Sequence, residues 1–355
     1  MDSKQVKIDQ FDPNGVGVRN GNFIGLPFTE EEADVILQAM PWDVTVSYSD
    51  GTSRGPENII EASYQLDLLD PVYADAWKRG YFFEAPNEKW QSLSRQLRKK
   101  VKKYIDFLEN EPGKKIPSKL QKTVDKVNEA SGYMNEFVYQ RTTERLENNK
   151  IVGHVGGDHS TPLGYYQALG NYYGEFGLLI LDAHMDLREA YEGFKYSHAS
   201  IFYNALAITN LTKLVQVGIR DYCQAEKELA DSLFPRVEVY YDRNIRARMF
   251  KELSFDELCD EIVDKLPQQV AISVDIDGLD PRFCPHTGTP VPGGLDFNEA
   301  CYLLEKIVEK GKTIIGFDLC EVAGVPHEWD GNVGARILYK LGNLCLKSRE
   351  KSCDF

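Results

Sequence analysis

The sequence predicts an α/β protein whose parallel sheet is covered by helices on both faces. After Lys150, short apolar stretches alternate with helix-like stretches, and the apolar stretches are nearly continuous. Strands buried on both faces show such continuous stretches, and strand–helix alternation is typical of parallel sheets. The predicted strands are 151–155, 178–181, 213–218, 236–241, 269–274 and 313–317, and examples of the predicted helices are 161–173, 223–234, 254–265 and 297–310.

Length and composition narrow the class of protein further. One domain, residues 1–355, is the simplest prediction because no linker or internal repeat interrupts the chain. The formal net charge of −14 disfavours nucleic acid or an anionic membrane as the main partner. No signal peptide and no apolar stretch of about 18 residues is found, and the seven cysteines include no CxxC pair. We therefore expect a cytoplasmic protein with reduced cysteines.

The chain before Lys150 is less regular. Residues 1–22 are polar and rich in glycine and asparagine, which predicts an irregular arm. The stretch 47–56 is rich in turn-forming residues and is expected to be a loop. A helix should begin at its end, because proline is favoured in a first helical turn and Pro56 stands at that point.

A basic, helical region spans about 87–148. Its apolar residues recur with a period close to that of an amphipathic helix, and EPGKKIP (111–117) separates it from a second charged helix. Charged helix faces are usually solvated, which is the favoured interpretation here. The alternative is an excursion that covers the functional site or contacts a partner subunit. The basic residues in question are Arg95, Arg98, Lys99, Lys100, Lys102 and Lys103.

Acidic residues and a histidine follow the predicted strand 178–181. Asp182, His184 and Asp186 are spaced two residues apart, so in an extended chain their side chains point to one side. Carboxylates and an imidazole on one side of a strand end form half of a divalent cation site. On this stretch alone, a polar junction between strand and loop without a metal explains the pattern equally well.

The same pattern returns at two other strand ends. Asp275 and Asp277 follow the strand 269–274 at a spacing of two, and GGDHS, which contains His159, follows 151–155. Ligands of parallel sheets lie at the carboxyl ends of the strands, where these residues are expected to meet. Buried carboxylates without compensating charge are costly, so bound cations explain three such clusters better than a polar junction does.

The ligand pool points to two ions. A single tetrahedral zinc takes about four ligands, usually richer in nitrogen or sulfur. A set dominated by carboxylates favours two harder ions, with Mn²⁺ preferred over zinc. Two ions about 3.5–4 Å apart can hold a bridging hydroxide, which implies hydrolysis at an electrophilic carbon or phosphorus. The pool consists of His159, Asp182, His184, Asp186, Asp275 and Asp277.

Four sequence blocks resemble the signature blocks of the ureohydrolases, the arginase/agmatinase superfamily of binuclear manganese enzymes. The resemblance covers most of residues 41–345 and implies a three-layer α/β/α sandwich around a mostly parallel sheet. It also implies two divalent ions per subunit, with Mn²⁺ expected and Ni²⁺ as an alternative, and a homo-oligomer, either a trimer or a hexamer. The blocks are GGDHS (156–160), DAHMDLR (182–188), SVDIDGLDP (273–281) with TGTPVPGG (287–294), and GFDLCEV (316–322).

The resemblance assigns the pool to two overlapping ligand sets. In the enzymes of this family, carboxylates bridge the two ions. The first ion would be bound by His159, Asp182, Asp186 and Asp275, and the second by His184 and Asp277 together with the bridging Asp182 and Asp275.

Three more residues match positions that handle the substrate in the family. Glu321 would bind the guanidinium, His198 would transfer a proton and Thr289 would line the pocket; a strand-end acid, a structural histidine and a turn residue are the alternatives. In the implied mechanism, hydroxide held by the ions attacks the guanidinium carbon while Asp186 accepts its hydrogen bond. The departing amine takes a proton through His198, and urea and an alkylamine are released.

The resemblance is nearest to agmatinases, which convert agmatine to putrescine and urea. SYSDGTSRGP (47–56) and DLREAYEGFKYSHAS (186–200) are similar to agmatinase loops. Arg188 stands where arginases place an asparagine, and arginine also occurs there in formimidoylglutamases. Facing the amine of agmatine, Arg188 would need neutralisation by Glu189 or Glu192.

Several alternatives stay open. The substrate could instead be guanidinobutyrate, guanidinopropionate, arginine, formimidoylglutamate or guanidine. His286 and the stretch 325–336 depart from the common agmatinase pattern. A single-zinc hydrolase of the histone-deacetylase type shares the fold but would not need the whole ligand pool. Outside enzymes, the alternative is an inactive family member, a metal-stabilised oligomeric scaffold.

Overall fold

One eight-stranded sheet organises the computed structural model, which describes residues 3–251, 253–324 and 329–350. Every strand pairs in parallel with its neighbours, in the order β2-β1-β3-β8-β7-β4-β5-β6. The predicted parallel sheet is therefore confirmed. The strands are β1 (Val35–Ala39), β2 (Tyr81–Phe83), β3 (Ile151–Val155), β4 (Phe176–Leu181), β5 (Leu211–Ile219), β6 (Val237–Tyr241), β7 (Gln269–Asp275) and β8 (Thr313–Cys320).

Helices cover both faces of this sheet. Along β4, Leu178 and Ile180 belong to one hydrophobic core, while Leu179 and Leu181 belong to the other, as the strand period of two requires. Helices α3 to α7 pack on the first core, and α2 and α8 to α11 on the second. The helices are α1 (Ser3–Gln10), α2 (Gly55–Ser63), α3 (Glu88–Asn110), α4 (Ser118–Glu147), α5 (Leu163–Tyr173), α6 (Ile201–Ala205), α7 (Gln224–Ser232), α8 (Asp242–Met249), α9 (Phe255–Asp264), α10 (Phe297–Glu309) and α11 (Trp329–Glu350).

Strands β1 and β2 and the helix α1 were not expected from the sequence. The helices α6, α8 and α11 also have no counterpart among the helices predicted from it. β2 has three residues, too few for a recognisable pattern, and β1 contains Gln38, whose fully buried amide oxygen accepts a hydrogen bond from Arg145 at 2.8 Å. The expected irregular arm at 1–22 is wrong for residues 3–10, which form α1. This helix buries no residue and is anchored by ion pairs, among them Lys7 with Glu32 at 2.6 Å, so it carries no apolar stripe.

The basic region 87–148 contains two long helices. The side chain of Asn87 caps α3 by accepting hydrogen bonds from the backbone amides of Lys89 and Trp90. Leu97 and Val101 face the core, as the amphipathic period predicts. The division of the chain into a single domain with this region as an excursion remains a prediction. None of the helices in the described residues combines the length and the apolar character that a membrane span requires.

The strand order brings the predicted ligands together. β3, β8, β7 and β4 are consecutive neighbours in the sheet. Because all of them are parallel, their carboxyl ends lie at the same edge. The residues that follow these four strands therefore converge on the middle of that edge, and the loop after β1 borders them on one side.

The close packing of α4 on α5 provides a stability test. A Cβ atom at Gly164 would lie 2.0 Å from the carbonyl oxygen of Asn135, so Gly164→Ala should destabilise the fold by about 1–3 kcal/mol. Urea unfolding measures the change. The matched control is Gly132→Ala in α4, where an added Cβ meets nothing within 4 Å and alanine should be neutral or stabilising. Equal effects of both variants would contradict this packing.

Candidate active site

His159 is positioned by a tight turn after β3. The backbone amide of Asp158 donates a hydrogen bond to the carbonyl of Trp42 at 2.7 Å. Gly157 makes this approach possible, because a Cβ there would lie 1.9 Å from the same carbonyl oxygen. The paired glycines of the GGDHS block therefore hold the turn against the loop after β1, with the His159 side chain fully buried.

Three carboxylates surround one nitrogen of His159. Its Nδ1 lies 3.1 Å from Asp182 Oδ2, 3.2 Å from Asp275 Oδ2 and 3.4 Å from Asp186 Oδ2. These residues come from the ends of β3, β4 and β7, and every one of them is buried. The structure thus brings together the four residues predicted for the first ion.

A second group shares Asp182 with the first. His184 Nδ1 lies 3.1 Å from Asp277 Oδ2 and 3.7 Å from Asp182 Oδ1. Among the described residues, both the set His159, Asp182 and Asp186 and the set Asp182, His184 and Asp277 are arranged closely enough to hold a metal ion. Asp182 lies between the histidines, where a bridging ligand is expected.

The chemistry of this cluster fits bound cations. His159 Nδ1 and Asp182 Oδ2 are buried and have no hydrogen-bond partner. Burial and the charge of Asp182 raise the pKa of Asp186 to about 7. Burial and the charges of Asp277 and Asp182 raise the pKa of Asp275 well above its usual range. Such crowding of buried carboxylates is unfavourable unless positive charge lies between them, so the residues present suit a pair of divalent ions.

A buried hydrogen-bond chain orients His159 from behind. Its Nε2 lies 2.9 Å from Ser273 Oγ, which donates to Asp318 Oδ1 at 2.9 Å. The hydroxyl of Tyr166, on α5, donates to Asp318 Oδ2 at 2.8 Å. With Asp318 as the terminal acceptor, Nε2 carries the proton, and the Nδ1 lone pair faces the carboxylates.

The sequence did not indicate this hydrogen-bond chain behind His159. Ser273 stands two residues before Asp275 and so points to the same side of β7, and its register partner on β8 is Asp318. Spacing could therefore have identified Ser273. Tyr166 carries no sequence signal, because its contribution depends on how α5 packs on the sheet.

Glu321 and His198 lie beside the cluster. Glu321 Oε1 accepts a hydrogen bond from the His159 amide at 2.9 Å and is 3.7 Å from His198 Nδ1. Glu321 Oε2 is buried without a hydrogen-bond partner. Burial and the charges of Asp275 and Asp158 raise the pKa of Glu321 well above its usual range. A cation bound beside Oε2 would compensate this carboxylate.

His198 is held as a neutral imidazole. Burial, together with the nearby His184 and His159, lowers its pKa to about 3. Its Nε2 lies 3.4 Å from Ser47 Oγ, and its backbone amide donates to Thr45 Oγ1 at 3.2 Å. Both partners come from the loop after β1, and the sequence did not identify either of them.

Two residues of the cluster have backbone conformations that non-glycine residues rarely adopt. Asp186 has φ 51° and Glu321 has φ 62°, both in the left-handed region. Such conformations persist where the surrounding structure imposes them, and they are concentrated at functional sites. The backbone is thus bent to direct these two carboxylates into the cluster.

A cavity of about 340 Å³ opens beside His184 and Asp186. This volume suits a small ligand. His198 and Thr289 also line it, and Thr289 Oγ1 donates to Asp277 Oδ2 at 3.4 Å. Its other lining residues include Ser47, Tyr48, Arg188, Tyr191, Asp221 and Glu226.

Arg188 faces the cavity with its charge already compensated. Its Nε lies 3.7 Å from the buried Glu226 Oε2, and its guanidinium carbon lies 4.6 Å from the ring centroid of Tyr191. In the described residues, no ion pair links Arg188 to Glu189 or Glu192, the two residues considered as its neutralising partners, and Glu226 takes this place. Glu226 is placed by a contact between distant parts of the chain, which local sequence cannot reveal.

One of the departures noted in the sequence, His286, contacts a residue of α11. His286 Nδ1 is 2.5 Å from Asp330 Oδ1, and its backbone amide donates to Asp330 Oδ2 at 3.0 Å. It therefore ties the loop after β7 to α11. The first four residues of the stretch 325–336 lie outside the described residues.

Fold and site together define an arginase-like α/β hydrolase with a histidine–aspartate cluster. A family model described as the arginase family matches residues 33–341, and the chain belongs to this family. It is a ureohydrolase, a hydrolase of C–N bonds other than peptide bonds in linear amidines. The family depends on a pair of metal ions, and residues able to hold metal are present here.

Similar proteins confirm the predicted family and its agmatinase-like character. The chain is 30% identical over 299 residues to N(1)-aminopropylagmatine ureohydrolase of Thermus thermophilus, covering 82% of this chain and 84% of that protein. It is 28% identical over 301 residues to agmatinase of Bacillus anthracis, covering 83% and 85%. Proclavaminate amidino hydrolase of Streptomyces clavuligerus has the same fold, with a TM-score of 0.70, 23% identity and coverage of 94% and 100%.

The hydrogen-bond chain behind His159, which ends at Asp318 and Tyr166, gives a test of the candidate metal site. Tyr166→Phe removes the hydroxyl that fixes Asp318, so we expect Mn²⁺ affinity, measured by titration calorimetry, to fall about tenfold or more. Tyr165→Phe is the matched control, because this neighbouring hydroxyl donates instead to the carbonyl of Val152 at 2.8 Å. Tyr165→Phe loses this one buried contact, whereas Tyr166→Phe loses the contacts of its hydroxyl with Asp318 and Ser273, each within 2.9 Å. Equal Mn²⁺ affinity in both would contradict a role of Tyr166 at the site.

Proposed function

We propose that the protein hydrolyses a linear guanidino compound bearing an amine at its far end, as in agmatine, and releases urea and a second amine. The observation that carries the proposal is the buried, unpartnered Oε2 of Glu321 next to the histidine–aspartate cluster. A guanidinium supplies a planar pair of donors that a carboxylate accepts in a fork geometry. The proposal thereby matches an unsatisfied acceptor with the group it is suited to bind.

The ligand assignment belongs to the proposal. His159 and Asp186 would hold one ion and His184 and Asp277 the other, with Asp182 and Asp275 shared. The close approach of both histidines to Asp182 supports sharing by that residue. When bound, the ions supply the acidity that turns water into a nucleophile at neutral pH. The carboxylate-rich ligand set favours Mn²⁺, with Ni²⁺ as the alternative.

The remaining site residues would orient the substrate and move protons. Glu321 holds the guanidinium so that its carbon faces the cluster, and Asp186 accepts a hydrogen bond from the attacking water. His198 lies 3.7 Å from Glu321 Oε1, beside the proposed guanidinium site, and it would pass a proton to the departing amine. Ser47, which lies 3.4 Å from its Nε2, would keep the imidazole in position.

The charges of the cavity support a cationic far end. Asp221 and Glu226 line it together with Asp186, and the only lining arginine in the described residues is paired with Glu226. Agmatine and N(1)-aminopropylagmatine, the compounds in the names of the similar proteins, both carry such an amine. Thr289 would border the substrate at the inner end of the cavity.

A second candidate is a substrate with a carboxylate at the far end. It is favoured by one observation: the Arg188 side chain is about one-third exposed and lines the cavity. Guanidinobutyrate, arginine and formimidoylglutamate are substrates of this kind. Release of Arg188 from Glu226 would be required for binding, and that cost makes this candidate the weaker one.

Cytoplasmic location and homo-oligomerisation complete the proposal. The six cysteines within the described residues are all free, which supports a reducing compartment. The trimer or hexamer is expected from the family resemblance, and the single-domain organisation from the uninterrupted α/β pattern.

Substrate choice is tested with a panel of guanidino compounds and protein loaded separately with Mn²⁺ or Ni²⁺. Urea release should be fastest with agmatine or N(1)-aminopropylagmatine and Mn²⁺, because these compounds place an amine near Asp221 and Glu226. Arginine, 4-guanidinobutyrate, 3-guanidinopropionate and guanidine complete the panel, and formimidoylglutamate is scored by formamide. Preference for a carboxylate-bearing compound would assign specificity to Arg188, and silence with every compound would favour an inactive scaffold.

The role of Glu321 is tested by Glu321→Gln. The amide oxygen can still accept from the His159 amide, while the charge is lost, so kcat/KM for agmatine should fall by roughly 10²- to 10³-fold with bound Mn²⁺ unchanged. Glu189→Gln is the control, because Glu189 is exposed to solvent, whereas Glu321 is buried beside the cluster. Unchanged kcat/KM in Glu321→Gln would remove the basis of the proposed guanidinium contact.

A further inference from the structure

Two basic residues of α3 have a defined partner. Arg98 is buried, and its Nε donates to Asp50 Oδ1 at 2.7 Å. The Arg98 guanidinium also donates to the carbonyl of Val44 at 3.4 Å. Lys102, one turn later, forms an ion pair with the other oxygen of Asp50. Arg98 is therefore an exception to the predicted solvated face of α3, at the point where this helix meets the loop after β1.

This loop is also tied to α3 at its start. Ser94 Oγ donates to Asp43 Oδ1 at 3.0 Å and accepts from the Asp43 amide at 3.1 Å. The other carboxylate oxygen of Asp43 accepts from the amides of Gly51 and Ser53, at 3.1 and 3.3 Å. Asp43 thus links the two ends of the segment 43–53, and α3 contacts that segment at both Asp43 and Asp50.

The opposite side of segment 43–53 faces the candidate active site. Thr45 Oγ1 accepts from the His198 amide, and Ser47 Oγ lies 3.4 Å from His198 Nε2. The amide of Ser49 donates to the carbonyl of Gly288 at 3.2 Å, next to Thr289. Ser47 and Tyr48 line the cavity itself. The segment is therefore held between α3 and the residues proposed to handle the substrate.

We propose that α3 acts as a clamp on segment 43–53, and that Arg98, through Asp50, is a positioning residue for His198. This inference rests on the proposed function, since it gives the clamp its purpose. Burial raises the pKa of Asp50, but hydrogen bonds from Lys102 and Arg98 outweigh burial and lower its pKa overall, so the carboxylate stays ionised. The basic region of the chain thereby gains a role in orienting the site from outside it.

The test compares Arg98→Met with Arg95→Met. Both variants remove one arginine from the same helix. The Arg95 side chain, however, is exposed and makes no hydrogen bond or ion pair within the described residues. Hydrogen–deuterium exchange of the amides of 43–53 is measured without substrate, and kcat and KM with agmatine are measured on Mn²⁺-loaded protein. Asp50→Asn removes the same ion pair from the loop side, together with the ion pair to Lys102.

We expect faster exchange in segment 43–53 for Arg98→Met and Asp50→Asn, with exchange elsewhere unchanged, and unaltered exchange for Arg95→Met. In the same two variants, kcat should fall about tenfold while KM changes less, because a proton-transfer group is misplaced. The double variant should lose less than the sum of the two single variants, because both of them remove the Arg98–Asp50 ion pair. Exchange of segment 43–53 that stays as slow in Arg98→Met as in the wild type would overturn the clamp. Equally faster exchange in Arg95→Met and Arg98→Met would overturn it too. Absence of turnover in the wild type would instead overturn the proposed function, and the exchange measurement alone would then test the clamp.

Discussion

Burial of several carboxylates in one small volume is the constraint on which the site depends. Asp182, Asp186, Asp275 and Asp277 are all nearly inaccessible to solvent, and the backbone is bent at Asp186 to bring its side chain in. Uncompensated charge in such surroundings is costly, and the fold tolerates it because positive charge can enter between the side chains. The parallel order of β3, β8, β7 and β4 makes the crowding possible by ending neighbouring strands at one edge.

Residues around that cluster hold its side chains in position, and residues farther out hold those residues in turn. Tyr166 and Asp318 determine which nitrogen of His159 faces the carboxylates, and the loop after β1 holds His198 through Thr45. In the proposed clamp, α3 stabilises that loop from outside. The substrate cavity lies where these layers meet, and its charge is set by residues after β5 and on α7.

The sequence was informative wherever function required a local pattern. Continuous apolar strands predicted six of the eight strands, and acids at a spacing of two predicted where the cluster lies. Patterns of this kind cannot show contacts between distant segments. The pairing of Arg188 with Glu226 and the pairing of Arg98 with Asp50 depend on how helices dock, so both escaped prediction. α1 was missed for a different reason, because it has no fully buried residue and carries no periodic apolar signal.

The most direct test of the central claim is a count of bound metal together with its magnetic state. Protein stripped of metal and reloaded with Mn²⁺ would be analysed by mass spectrometry of the metal and by electron paramagnetic resonance. The account predicts about two ions per chain, with a spectrum of two coupled ions sharing ligands. A single magnetically isolated ion per chain would contradict it, because four carboxylates would then converge on a site that needs only some of them.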